Sequence, residues 1–262
     1  MNDISEKGND NGGRTVRLAA VGDLHCSHRQ QELLRPLFAQ AADSADVLLL
    51  CGDLTDYGLP EEAHVIAAAL GNIAGKIPVL AVLGNHDYES GKADEVRRIM
   101  ADAGISMLDG NTCEVCGIGF TGVKGFAGGF GTRALQPWGE KSVKHFVNEA
   151  VNETLKLESG LAKLRAAQRV VLLHYSPIRA TVEGESPEIY PFLGSSRLEE
   201  PINHYQVTAV FHGHAHHGRL EGRTGAGVPV YNVAMSLLQH AFPERPPFRL
   251  FEIAVTPTTV SE

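Results

Sequence analysis

Val79-Leu80-Ala81-Val82-Leu83-Gly84-Asn85-His86-Asp87 sets five consecutive apolar residues against a turn carrying an amide, an imidazole and a carboxylate. A short apolar run that stops at glycine reads as a strand buried on both faces, with the polar residues at its C-terminal end. The same figure occurs twice upstream. Residues 16–21 end in Gly22-Asp23, and residues 47–51 end in Gly52-Asp53. Helical stretches separate the three. One spans residues 30–42, with Leu33, Leu34, Leu37 and Phe38 on one face; the other spans residues 61–71. Strand alternating with helix predicts βαβ units and a largely parallel sheet, an α/β fold.

Downstream, residues 94–103 read as helix and residues 106–123 as short strands broken by Gly and Asn. Residues 140–168 read as a long amphipathic helix or helix pair, its apolar stripe formed by Val143, Phe146, Val147, Ala150, Val151 and Leu155. Strands are expected at 170–173, 207–211 and 228–233, with 248–255 closing the sheet region. No internal repeat appears. The expected organisation is one domain over residues 14–256, a polar disordered lead-in at 1–13 and a tail at 257–262.

Bulk properties narrow the function classes. Hydrophobic residues make up 43% of the 262 and charged residues 21%, a balance that can bury a substantial core. No apolar run approaches the ~18 residues needed to cross a bilayer. The N-terminus lacks the basic-then-apolar order of a secretory leader, so a cytoplasmic protein is expected. A net charge of −8 argues against steering to nucleic acid by the overall field. Small phosphates remain compatible with it, because bound cations invert the local potential. Cys113-Glu114-Val115-Cys116 is a C-x-x-C without a second pair to complete a zinc site, and reads as two reduced thiols on a strand.

The chemistry-bearing residues follow the strands: Asp23 and His25, Asp53, Asn85 and His86, His174, then His214 and His216. Loops at the C-terminal ends of strands form the crevice where open α/β sheets bind ligands. Carboxylates, imidazoles and one amide oxygen, without thiolate, suit Mn, Fe or Zn ions. Leaving out His86, seven candidate ligands exceed what one four-coordinate ion uses. A carboxylate shared between two ions ~3.5–4 Å apart accounts for the excess, and Asp53 is the natural bridge. Glycines 22, 52, 84 and 213 let tight turns form as each strand delivers its ligand. Cys26 and Cys51 adjoin this set and read as small packing residues; His212 and His217, by strand alternation, point away from it.

The order Asp23-x-His25, Gly52-Asp53-x-x-Asp56, Gly84-Asn85-His86-Asp87, His174, Gly213-His214-x-His216 resembles the calcineurin-like metallophosphoesterase superfamily. That resemblance implies a four-layer α/β/β/α sandwich of two mixed sheets flanked by helices. It implies Asp23, His25, Asp53 and His216 as ligands of a first metal, and Asp53, Asn85, His174 and His214 as ligands of a second. His86 matches the family's non-ligand catalytic histidine, and Asp87 and Asp56 the positions that orient their neighbours. The implied reaction is hydrolysis of a phosphoester, with hydroxide generated between two cations as nucleophile and His86 as proton donor or transition-state stabiliser. The Gly-His-x-His ending, and Asp56-Tyr57-Gly58 in place of Asp-Arg-Gly, look more like the phosphodiesterase-type branch than the protein-phosphatase branch.

Substrate choice is expected in lid or cap loops around 125–138 and 176–200, with Arg179, Tyr190 and Arg197 as substrate-binding candidates. The expected partner is a small-molecule phosphoester or nucleotide. A non-catalytic scaffold on the same fold is the alternative, and substituted ligands or a missing His86 would favour it.

Overall fold

Alternation along the buried strands decides the layering. In Val47–Cys51, Leu48 and Leu50 pack with one cluster while Val47, Leu49 and Cys51 pack with another, all fully buried. Successive side chains of a strand point to opposite faces, so this strand has apolar layers above and below it. The computed structural model describes residues 14–27, 31–71, 73 and 75–255; the expected lead-in and tail lie outside them.

The strands among the described residues are β1 (Arg14–Val21), β2 (Val47–Cys51), β3 (Val79–Val82), β4 (Ser106–Met107), β5 (Thr112–Val115), β6 (Ile118–Val123), β7 (Gln168–Leu173), β8 (Ala209–His212), β9 (Glu221–Arg223), β10 (Pro229–Asn232) and β11 (Arg249–Val255). One sheet runs β11-β1-β2-β3-β4 and the other β5-β6-β7-β8-β10-β9. β1 to β4 are mutually parallel, with β11 antiparallel at the edge. In the second sheet β6, β7, β8 and β10 are parallel, flanked by antiparallel β5 and β9. Both sheets are therefore mixed.

Three helices, α1 (Gln31–Ser44), α2 (Pro60–Leu70) and α3 (Ala93–Asp102), cover the outer face of the first sheet. Leu49, Leu80 and Val82 meet Phe120, Leu172 and Phe211 between the sheets. The outer face of the second sheet packs Val171, Leu173 and Val210 against Leu157 and Leu161 of α4 (Lys141–Lys163). The result is the four-layer α/β/β/α sandwich.

Three sequence expectations need correction. The helix expected over 140–168 is a single one ending at Lys163, because Gln168 and Arg169 are recruited into β7 beside Ile118 and Gly119. Its buried face runs Val147, Ala150, Leu157, Leu161, a helical i, i+3, i+10, i+14 set, which leaves Leu155 exposed. In α1, Leu34, Leu37 and Phe38 are buried as expected, but Leu33 lies about 100° round the helix and is exposed. Cys113 lies on β5 while Cys116 occupies the turn after it at φ 54°; no described cysteine is in a disulfide.

Candidate functional site

Five strands of the two sheets end together, and their exit loops carry the polar residues. The loops after β1 and β2 are laced by backbone hydrogen bonds: Asp23 N–H to Gly52 O at 2.9 Å, His25 N–H to Asp53 O at 3.0 Å and Cys26 N–H to Leu54 O at 2.9 Å. The lacing holds strained conformations. Asp23, His25, Asp53 and His214 have φ of 57°, 43°, 46° and 70°, in the left-handed region that costs a non-glycine residue on the order of 1 kcal/mol. Strain of this kind concentrates where geometry is overdetermined for a purpose.

Glycine serves these turns in two ways. Gly52 has a positive φ of 81°, as a tight turn requires. Gly84 and Gly213 do not. Their need is for bare space, because a Cβ would sit 2.2 Å from Asp53 Oδ1 at Gly84 and 2.2 Å from Asp23 Oδ2 at Gly213.

Two clusters result. In the first, His216 Nε2 stands 3.0 Å from Asp23 Oδ1 and 3.4 Å from His25 Nε2. In the second, His174 Nε2 stands 2.8 Å from Asn85 Oδ1 and 3.4 Å from Asp53 Oδ1, with His214 beside it. Asp53 lies between them: its Oδ2 faces His25 Nε2 at 3.8 Å and its Oδ1 faces His174. The seven residues expected as ligands are thus brought together.

The donor set fits metal. Oxygen and imidazole nitrogen atoms of three residues lie within 4.8 Å of one another in each cluster, and they are anchored by strained turns. The ring tautomers fit as well. His174 Nδ1 donates to Cys51 O at 3.1 Å and His214 Nε2 donates to Phe192 O at 3.1 Å, which turns the other nitrogen of each ring toward the cluster; on His174 that nitrogen must give up its proton to ligate.

Electrostatics without metal follow from burial and pairing. Burial opposes the charge on Asp23, but the His216 hydrogen bond and the His174 charge outweigh it and hold the carboxyl below its usual range. Burial also opposes Asp53, where the charge and hydrogen bond of His174 and the His86 N–H win and push the pKa down. His174, for which burial favours the neutral ring, is nonetheless raised to about 9 by Asp53. His214 is lowered to about 4 by burial and by His174. His25 is lowered chiefly by burial.

His86 sits at the mouth. Its N–H donates to Asp53 Oδ1 at 2.8 Å, and its ring Nδ1 donates to the Asp56 carbonyl at 2.7 Å. The Asp56 carboxylate instead faces His25 Nδ1 at 3.5 Å. Asp87 is fully buried and accepts from Leu54 N, Thr55 N, Thr55 Oγ1 and Gly84 N. Burial and the charge of Asp53 push it up to about 6. It ties the β2 exit loop to the β3 exit loop. His212 points away, as expected, and its Nε2 meets Thr181 Oγ1 at 2.8 Å. Cys26 and Cys51 are buried, and burial raises both thiols, Cys26 to about 12, which suits packing residues.

The loops at 125–138 and 176–200 are bound to each other. Gly128 N–H donates to Pro191 O, Gly129 N–H to Gly194 O and Ser196 N–H to Gly129 O, at 2.7–3.1 Å. Between them lies a cleft of about 450 Å³, lined among others by Arg179 and Tyr190. Arg197 is placed differently: its Nη2 donates to Leu135 O at 3.1 Å and to Gln136 Oε1 at 3.4 Å, fastening one loop to the other.

Some contributors carried no sequence signal as used. Glu89 Oε2 lies 3.8 Å from His86 Nδ1, one helical turn on, a spacing that could have flagged it. Tyr175, the residue after His174, packs its ring 4.5 Å from that of His214. The Phe192 carbonyl had no signal, since any residue supplies one.

The family model described as calcineurin-like phosphoesterase matches residues 16–218 of the chain. No curated protein matches it. Among solved structures, the phosphopantetheinyl hydrolase PptH of Mycobacterium tuberculosis superposes with a TM-score of 0.60 at 15% identity, covering 94% of this chain and 97% of that one. TT1561 of Thermus thermophilus superposes with a TM-score of 0.56 at 14% identity, covering 92% and 99%. At such identities the likeness is one of fold.

Proposed function

The chain belongs to the calcineurin-like phosphoesterase family, and from that premise we propose that it hydrolyses phosphoester bonds of a small molecule or nucleotide with two bound metal ions. The observation that carries this reading is the position of Asp53, whose two carboxylate oxygens face histidines of both clusters. Asp23, His25, Asp53 and His216 would hold one ion, and Asp53, Asn85, His174 and His214 the other. Manganese, iron and zinc all suit such oxygen and nitrogen donors. When bound, the pair would supply positive charge for the phosphoryl oxygens and acidity for the attacking water.

The chain's own residues do the rest. Backbone N–H groups of His86 and His214 donate to Asp53 and Asp23 and fix their carboxylate oxygens. His86, with Nδ1–H committed to the Asp56 carbonyl, turns Nε2 toward the departing oxygen and, as the imidazolium, gives it a proton or hydrogen bond. Asp56 orients His25, and Asp87 holds the loops that present Asp53 and His86. Arg179 and Tyr190 take the substrate side, with Arg197 as the fastening behind them. Among the described residues no helix is long and apolar enough to cross a membrane.

The test is hydrolysis of bis(p-nitrophenyl) phosphate with added Mn²⁺. Activity should vanish on chelation and fall by about 10²–10⁴ in His86→Ala, with metal content retained. Metal-independent turnover, or full activity in His86→Ala, would overturn this mechanism, and absence of turnover by the metal-loaded protein would favour a non-catalytic scaffold.

A further inference from the structure

The cleft between the paired loops is walled by aromatic rings and two cations. Phe130, Trp138, Tyr190 and Phe192 line it together with Arg133 and Arg179, and no carboxylate does. Trp138 is 63% exposed and Phe192 58%, so large apolar surfaces face solvent where the walls separate. Exposed aromatic area of this kind on a concave surface marks a binding site.

Both cations are available. The Arg133 side chain has no hydrogen-bond or ion-pair partner among the described residues. Arg179 stacks over the Tyr190 ring with its guanidinium carbon 5.6 Å from the centroid, and reaches Glu183 only at 3.9 Å. Glu183 is nearer to Arg219, at 3.2 Å. The cleft also adjoins the second ligand cluster: Phe192, one of its walls, accepts through its carbonyl from His214 Nε2.

Resting on the hydrolase reading above, the geometry points to this cleft as the subsite for the part of the substrate that does not react, a planar aromatic group bearing an anionic substituent. The rings offer faces for stacking. The arginines offer forked donors to phosphate or carboxylate, and the absence of lining carboxylates removes the repulsion that would exclude an anion. Such a substrate reaches from the cluster at His214 past Phe192 into the cleft, its reacting phosphorus at one end and its aromatic anion at the other.

Trp138 is the single tryptophan of the chain, so its fluorescence reports on the cleft alone. The probe is adenosine 5′-monophosphate, titrated into the full chain in the presence of a chelator. Saturable quenching is expected, with weaker binding of adenosine, which lacks the anion, and of inorganic phosphate, which lacks the ring. Arg133→Ala and Arg179→Ala should each raise the Kd about tenfold, the loss of one charge-assisted contact. Thermal unfolding of each variant separates a binding defect from a folding defect, and Arg179→Lys should recover part of the affinity. The inference is overturned if quenching does not saturate, if adenosine binds as well as its monophosphate, or if folded arginine variants bind like the parent. Metal-dependent turnover without cleft binding would sink the subsite and leave the hydrolase standing; cleft binding without turnover would do the reverse.

Discussion

Replacing Gly84 with alanine places a methyl carbon 2.2 Å from both the backbone nitrogen and Oδ1 of Asp53. Ordinary contact begins at 3.4 Å, so the β3 exit and Asp53 must part by about 1.2 Å. Neither side yields easily. Asp53 is held by His86 N–H at Oδ1 and by His25 N–H at its carbonyl, and Gly84 N–H is held by Asp87. Overpacking of a rigid site costs about 1–3 kcal/mol. The alanine returns about 0.4–1 kcal/mol by restricting the unfolded chain, so a net loss of roughly 1–2 kcal/mol is expected in urea unfolding. Catalysis should suffer more. A displacement near 1 Å at the shared carboxylate is expected to cost on the order of a hundredfold in kcat/KM. The assay is Mn²⁺-dependent hydrolysis of bis(p-nitrophenyl) phosphate, with metal content measured on the same samples. Gly75→Ala is the control, since nothing lies within 4 Å of the added methyl there. If Gly84→Ala binds full metal and keeps more than half the parent activity, the claim that bare backbone is needed to seat Asp53 is wrong.

Asp87→Asn turns one acceptor oxygen into an amide nitrogen facing two donors, whichever way the group is turned, and should destabilise by about 1–3 kcal/mol in urea; an unchanged midpoint would refute the four-donor tie. Asp53→Ala should lose both ions and His216→Ala one, read by metal analysis of purified protein; equal losses would argue against a shared carboxylate. Without metal, Asp53 holds the proton on His174 up to about pH 9, whereas the ligating ring must be neutral. Metal binding at pH 7 should therefore release a proton, and affinity should climb with pH until about 9. Calorimetry in buffers of different ionisation enthalpy measures this, and binding without proton release would show that His174 is already neutral.

Much of the site was legible because each motif is local. A strand that ends at Gly22-Asp23, Gly52-Asp53 or Gly84-Asn85 states its own direction and delivers its own ligand, and an unbroken apolar run made β2 recognisable before any partner was known. Elements whose extent depends on partners were less legible. The end of α4 at Lys163 follows from the pairing of Gln168 with Ile118 across 50 residues, and Leu33 and Leu155 are apolar residues on helix faces left exposed among the described residues.

Residue order alone determined which atoms could bind metal, because ligand chemistry belongs to the side chain and turn chemistry to its neighbours. Tertiary structure alone decided that Asp53 stands between two histidine clusters, that Gly84 serves through absent volume, that Arg197 fastens loops, and that Phe192 meets His214. Those are relations between segments tens to more than a hundred residues apart, and a distance across such a gap is fixed only when both sheets close around a common core.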